Sequence, residues 1–292
     1  MKNFIFMAMA ALLFSCSDLQ FADNVANGNP TESVMTSDDK AKIDALVEKA
    51  RWGDGQAFLQ LADCYRDGIG VKKDFLGMMF MVEQADEFGA IDNENDYFTH
   101  LPDDDVYKQC FGIINLRSRE LKDGKDSILT MLNTIDSPDA LAIRGIVCVE
   151  CGDTIEGFKT IRKAADNGSD FACVMMTMHD SNGVLKPDKN KLEQIADKIP
   201  IAYTMLGKIY HVFETDNNIN KRQAAHYYLE AEKHALLPKR GARWLLSYYK
   251  EGGDIQLTDE DVKRLEALSY IQNDEKEVVV PDTIYVDNID NQ

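Results

Sequence analysis

A single stretch, residues 55–89, constrains this chain more tightly than any other part of it. It reads GQAFLQLADCYRDGIGVKKDFLGMMFMVEQADEFG. Ala57, Phe58, Leu61, Ala62 and Tyr65 recur at the spacing that places them on one face of a helix. Gly68 can end that helix, because a residue without Cβ enters the left-handed region at little cost. Gly70 permits a tight turn, Val71 is placed to fill the gap between two helices, and Asp74 is placed to cap the second. The second helix is predicted over Phe75 to Phe88, with Met79, Val82, Ala85 and Phe88 along its inner stripe and a stop at Gly89. Two helices joined by so short a loop must pack antiparallel.

The early alanine of this unit returns along the chain. Ala57 is followed by Leu61, Ala62 and Tyr65; Ala202 by Leu206, Gly207 and Tyr210; Ala242 by Leu246, Ser247 and Tyr249. Ala140 with Gly145, and Ala172 with Met176, fit the pattern more loosely. The intervals 140 to 172, 172 to 202 and 202 to 242 are 32, 30 and 40 residues, and the 83 from 57 to 140 leave room for a divergent pair around Asp103 to Ile135. Second helices end recognisably at Ala164, Ala165 and Gly168, and at Ala231. The loop from His211 to Asn220 departs from the pattern. Periods in this range signal a helical repeat array.

The 55–89 segment closely resembles one Sel1-like repeat, with the alanine and tyrosine of its first helix, the loop Asp67-Gly-Ile-Gly-Val-Lys-Lys-Asp74 and the ending Ala85-x-x-x-Gly89. The resemblance is strong over about 35 residues and extends in weaker form over residues 40 to 270. It implies an all-α protein, a right-handed α-solenoid of about six antiparallel helix pairs of Sel1-like or TPR-like type. The expected organisation is a signal peptide over 1–15, a flexible tether over 16–36, the helical repeat domain over 37–271 and an acidic, disordered tail over 272–292. The repeat domain opens where Ser37 or Asp38 can cap a helix carrying Ile43, Leu46, Val47 and Ala50. The tail is strand-like around Pro281 and cannot extend the repeats.

The first fifteen residues carry one positive charge at Lys2, an apolar run from Phe4 to Phe14, and Ser15 before Cys16. That run is a secretion signal, too short to remain as a membrane-spanning helix. Leu13-Phe14-Ser15-Cys16 resembles a bacterial lipobox, which makes Cys16 the expected lipidation site and the lipid the only expected membrane contact. Ser17-Asp18 fits outer-membrane sorting better than retention. Removal of residues 1–15 takes away Lys2 and no acid, so the net charge of −18 becomes −19. Such a chain is repelled by nucleic acid and by anionic headgroups, which excludes nucleic-acid partners.

Little in the sequence points to chemistry. Cys148-Val-Glu-Cys151 has redox or zinc spacing, but it precedes Gly152-Asp153 at the end of a predicted helix, where the dipole disfavours thiolate. No second CxxC supplies further zinc ligands. With Cys16 acylated, five cysteines remain at irregular spacing (Cys64, Cys110, Cys148, Cys151 and Cys173), which argues against one disulfide per repeat. His226, Glu230 and His234 lie four apart on one helix face without a recognisable further ligand. Because the resemblance extends to proteins associated with β-lactam hydrolysis, a serine nucleophile is a candidate; Ser247-Tyr-Tyr-Lys250 and Ser37-Asp-Asp-Lys40 match Ser-x-x-Lys, but no Lys-Thr-Gly follows. No catalytic residue, cofactor or metal is therefore assigned. Met78, Met79, Met81, Met175 and Met176 fall at core spacing, and about half of Tyr203, Tyr210, Tyr227, Tyr228, Tyr248 and Tyr249 are core repeat positions.

Helical repeats present long binding surfaces. The expected function is that of a non-catalytic protein- or peptide-binding adaptor on the envelope. The alternative is an envelope enzyme or metal or redox protein using Cys148 and Cys151 or the His226 and His234 face. Positive charge gathers beside large rings at Lys239, Arg240, Arg243, Trp244 and Tyr248 in an otherwise acidic chain, and these five are the candidate partner-binding residues.

Overall fold

The computed structural model describes residues 37–116, 118–179, 186–213 and 218–269. Cys16, the signal and tether segments and the acidic tail lie outside them. Among the described residues there are fourteen α-helices and no strand. Helix α1 spans Ser37–Arg51, α2 Gly55–Asp67, α3 Phe75–Glu87, α4 Glu94–Thr99, α5 Val106–Ile114, α6 Ser118–Leu132 and α7 Pro138–Glu150. They are followed by α8 Thr154–Asp166, α9 Asp170–Met178, α10 Lys189–Ala196, α11 Ile201–Lys208, α12 Asn218–Lys233, α13 Lys239–Lys250 and α14 Asp259–Ser269.

Helix starts follow the capping residues. Asp54 accepts the amides of Gln56 and Ala57, Asp74 those of Leu76 and Gly77, and Ser137 and Ser169 cap α7 and α9. A positive-φ glycine ends a helix and the next residue caps the following one at Gly53-Asp54, Gly152-Asp153 and Gly168-Ser169. This device keeps the connections short. Thr258 and Asp261 cap α14 reciprocally, each accepting the other's amide.

Consecutive helices pack as pairs α2/α3, α7/α8, α11/α12 and α13/α14. The early alanines 57, 140, 172, 202 and 242 are all at most 1% exposed, so the position that recurs in the sequence has one packing role. The divergent segment behaves differently, because α5 and α6 each lean on α7. The second helix of the 55–89 unit also departs from its stripe. Every residue of α3 from Phe75 to Val82 is buried, together with Gln84 and Ala85. Helix α3 is enclosed because α2, α4 and α9 all pack on it, while Lys239 of α13 reaches the Glu87 carbonyl at its C-terminal end.

Two polar hubs fix this arrangement. At the first, Asp139 of α7 accepts hydrogen bonds from the Phe75 amide at 3.2 Å, the Tyr107 hydroxyl at 3.2 Å and the Ser169 hydroxyl at 2.6 Å, which joins the starts of α3, α5, α7 and α9. Asp74 and Asp170 lie beside it, and Asp170 accepts from Lys72 at 2.6 Å. At the second, Glu232 of α12 accepts from Arg51 of α1 and Arg264 of α14, so the last helices are tied to the first.

The carboxyl hub predicts how stability depends on pH. Burial, then the neighbouring carboxylates, push Asp74 up to about 8, and burial raises Asp139 and Asp170. The folded chain therefore keeps protons that the unfolded chain has released. Stability should rise as pH falls from 8 to 6.5, by about 1.4 kcal/mol per unit for each proton retained. Below 6.5 the gain should slow, because burial holds His211 down to about 4 and lowers His234, so the unfolded chain takes up those protons preferentially and offsets part of what Asp74, Glu83 and Glu94 retain, the last two held up to about 7 by burial. Near pH 4 Asp67, held low by its bond to Arg66, begins to lose its contribution. Urea denaturation across pH 5 to 8 measures this; a midpoint that falls steadily on acidification would contradict it.

Candidate functional site

The five predicted binding residues all lie on α13, which carries Lys239, Arg240, Arg243 and Lys250 and no acid. The buried face of the helix is Gly241, Ala242, Leu245 and Leu246. That leaves Arg240 and Arg243 exposed and Trp244 and Tyr248 half-buried between core and solvent. Trp244 and Tyr248, four residues apart, stack with centroids 5.2 Å apart and planes within 9°. Tyr248 is held from below, where the Asp254 amide donates to its hydroxyl at 3.3 Å and Gly253 is close enough that a Cβ would stand 2.7 Å from the ring.

Lys239 points elsewhere. Its ammonium donates to the Glu87 carbonyl at 3.1 Å and sits 5.1 Å from the Phe88 ring centroid. It thus places a cation at the negative end of α3, which makes it a capping residue of the fold. The acids near Arg240 and Arg243 are engaged elsewhere. Glu230 is taken by Lys233, Glu232 by Arg51 and Arg264, and Glu251 accepts from Ser247. Arg243 makes no ion pair or hydrogen bond among the described residues.

Sequence reasoning missed the layer beneath these rings. Helix α11 runs into a π-helical turn, Ile209–Phe213, which brings His211 against Trp244 at 4.7 Å and Tyr228 at 5.8 Å. Turns of this kind are frequent at functional sites. Tyr228 lies in a slot between two glycines: a Cβ on Gly207 would stand 2.4 Å from its ring, and one on Gly241 3.3 Å. Its hydroxyl is 3.1 Å from His211 Nδ1. Burial, and then the Arg240 charge, hold His211 neutral. The signal was present in the spacing, since the 40 residues between Ala202 and Ala242 exceed the neighbouring intervals of 30 and 32 and accommodate the extra turn. Close by, Glu83 of α3 and Lys208 of α11 face each other with their charges disfavoured, burial pushing the carboxyl up to about 7 and the ammonium down to about 8.

The other sequence candidates are dispersed. Cys148 is buried near the end of α7, and Cys151 is its C-terminal cap, with Sγ 3.7 Å from the Leu121 carbonyl. Both are free thiols, and burial raises both, which works against thiolate chemistry. His226 tilts over Tyr227 at 5.0 Å, His234 lies along Tyr203 at 6.3 Å, and Glu230 between them pairs with Lys233. Among the described residues no group of three or more His, Cys, Asp or Glu is placed to hold a metal ion. Ser247 donates to Glu251 while Lys250 lies 3.5 Å from Glu266, so this serine and lysine are engaged separately. Met78, Met79, Met81 and Met175 are buried core residues. No described helix is long and apolar enough to cross a membrane. Compared with protein-family models, curated proteins and solved structures, the chain has no significant match.

Proposed function

We propose that this protein is an envelope lipoprotein, attached through Cys16 and sorted to the outer membrane, that acts as a non-catalytic adaptor. In this reading the helices form a right-handed α-solenoid of about six Sel1-like pairs, and α13 grips an extended, acidic segment of a protein partner. One observation carries the proposal. Arg243 is exposed and makes no ion pair or hydrogen bond among the described residues, beside the half-exposed Trp244–Tyr248 stack, in a chain of net charge −18. An arginine fork beside a ring face suits a carboxylate-bearing peptide, with the guanidinium taking the carboxylate and the rings taking the backbone or apolar side chains. The π-turn and the Tyr228 slot support the stack from behind, so the rings are held before a partner arrives.

The test combines capture with stability. The double variant Arg240→Glu/Arg243→Glu should recover much less partner from solubilised envelope than the unaltered mature chain does. Its folding free energy should change by less than about 1 kcal/mol, because both side chains are exposed. Undiminished recovery by a folded double variant removes α13 from the proposal. Cys16→Ala should leave the membrane fraction, and membrane attachment of a cleaved Cys16→Ala chain removes the anchor.

A further inference from the structure

Helix α12 separates two aromatic clusters. Tyr228 faces α13, whereas the next residue, Tyr227, faces α10 and α11, where a second row of rings has no part in the α13 site. Tyr203 and Tyr210 are seven residues apart on α11 and its π-turn, and His234, in the turn that follows α12, is seven residues after Tyr227 of α12, so each pair lies along one side of its own segment. The two helices interleave them. Centroids run Tyr210 to Tyr227 at 5.7 Å, Tyr227 to Tyr203 at 6.5 Å and Tyr203 to His234 at 6.3 Å, with planes within 17°, 25° and 10° of parallel. Seven helical residues advance about 10.5 Å, less than two of these steps, so the rings alternate between the two helices as a zigzag along them. Tyr227 is buried and forms the floor; Tyr203 and Tyr210 are half-exposed and His234 is exposed.

Carboxylates fix the row. The Tyr203 hydroxyl donates to Asp197 at 2.5 Å and the Tyr227 hydroxyl donates to Glu193, both acids being exposed at the edge of α10. Phenols bound in this way have electron-rich rings in defined positions, which favours a cation on the ring face. The chain already supplies one, since the Lys189 ammonium lies 4.8 Å from the Tyr210 centroid. Two other lysines of this face are committed to carboxylates, Lys191 to Asp188 at 3.6 Å and Lys233 to Glu230 at 2.7 Å. The acids on the tyrosines, Glu193 and Asp197, thus supply the charge that a cationic partner would meet. The ring spacing also matches a known repeat, because alternate side chains on one side of an extended strand are about 6.6 Å apart.

We infer that the row Tyr210, Tyr227, Tyr203, His234 is a docking surface for an extended peptide segment that presents a lysine or arginine at every second position. It is distinct from the α13 face and opposite to it in charge preference. An octapeptide of alternating lysine and serine is the probe, titrated into the mature chain at physiological salt while the ring signals of 13C-tyrosine-labelled protein are followed. Saturable shifts are expected at Tyr203 and Tyr210, with affinity falling about tenfold in Tyr203→Leu/Tyr210→Leu. Tyr203→Phe, which keeps the ring, should bind better than the leucine variant, and Arg243→Glu should leave the affinity unchanged. If the leucine variant loses its helical dichroism, Glu193→Gln/Asp197→Asn replaces it, with a clear weakening expected. Absence of saturable shifts, equal affinity in either double variant, or equal binding of a neutral alternating leucine–serine peptide overturns the assignment.

Discussion

Replacing Glu232 by alanine is expected to lower the stability of the protein by about 3 to 5 kcal/mol, the cost of breaking a buried ion pair from one side. Its side chain is 7% exposed, and those of the two arginines it holds, Arg264 and Arg51, are 10% and 20% exposed. Arg51 binds both carboxylate oxygens, at 2.8 and 2.9 Å, and Arg264 binds one at 3.1 Å. Without the carboxylate two desolvated cations would face each other. Arg264 retains Asp261 and Glu260, but Arg51 keeps only the exposed Glu48. The contact spans 181 residues of sequence, so its loss should also loosen α14 from the loop after α1, where a Cβ on Gly53 would lie 3.5 Å from the Ala267 carbonyl. Urea denaturation gives the free energy and hydrogen exchange locates the loosening. The triple change Arg51→Met/Glu232→Leu/Arg264→Met should be far milder than Glu232→Ala, because no unpaired charge remains. A loss below about 1 kcal/mol in Glu232→Ala would mean that the ends are not joined in solution.

The second large effect is expected at the crossing of α7 and α8. Gly145 and Gly157 let the two backbones meet: a Cβ on Gly145 would stand 2.8 Å from the Gly157 carbonyl oxygen and 3.0 Å from the Ile161 amide nitrogen, and a Cβ on Gly157 2.8 Å from the Gly145 carbonyl oxygen and 2.9 Å from the Val149 amide nitrogen. Alanine in an open helical position gains up to about 1 kcal/mol over glycine. Here that gain is outweighed, since backbone atoms, which cannot rotate away, are among those obstructing each Cβ, beside the Ile161 and Val149 side chains. Gly145→Ala and Gly157→Ala are each expected to cost about 2 to 3 kcal/mol, the range of overpacking. Gly112 in α5 provides the contrast, because a Cβ there would meet nothing within 4 Å. Gly112→Ala should stabilise by roughly 0.5 to 1 kcal/mol. Opposite signs for one substitution at helical glycines would test the α7–α8 packing directly, and a stabilising Gly157→Ala would show that these helices are not in contact.

Much of the candidate α13 face was legible in the sequence, because positive charge and large rings in an acidic chain form a local signal. Trp244 and Tyr248 share the exposed edge with Arg243, as their spacing of four and one residues requires. Lys239 could not be assigned this way, since its partner is a carbonyl 152 residues earlier. Nor could the support from His211 and Tyr228, which depends on a π-turn and on glycines 207 and 241 from different helices closing on one ring.

The same division holds for the fold. Helix starts at Asp54, Asp74, Ser137 and Ser169, a stop at Gly68 and the buried alanines at 57, 140, 172, 202 and 242 were determined by the sequence alone. Capping and the 3.6-residue period act within one or two turns, so local residues encode them completely. The enclosure of α3 on every side, the leaning of α5 and α6 on α7, the gathering of Asp74, Asp139 and Asp170 and the closure of α1 onto α12 and α14 were decided only in the tertiary structure. A periodic pattern identifies which face of a helix is apolar. Whether the polar face is also covered depends on which distant helix reaches it, and an Asp or Glu has the same local signature whether it becomes a solvated surface charge or the buried acceptor that joins two ends of a chain.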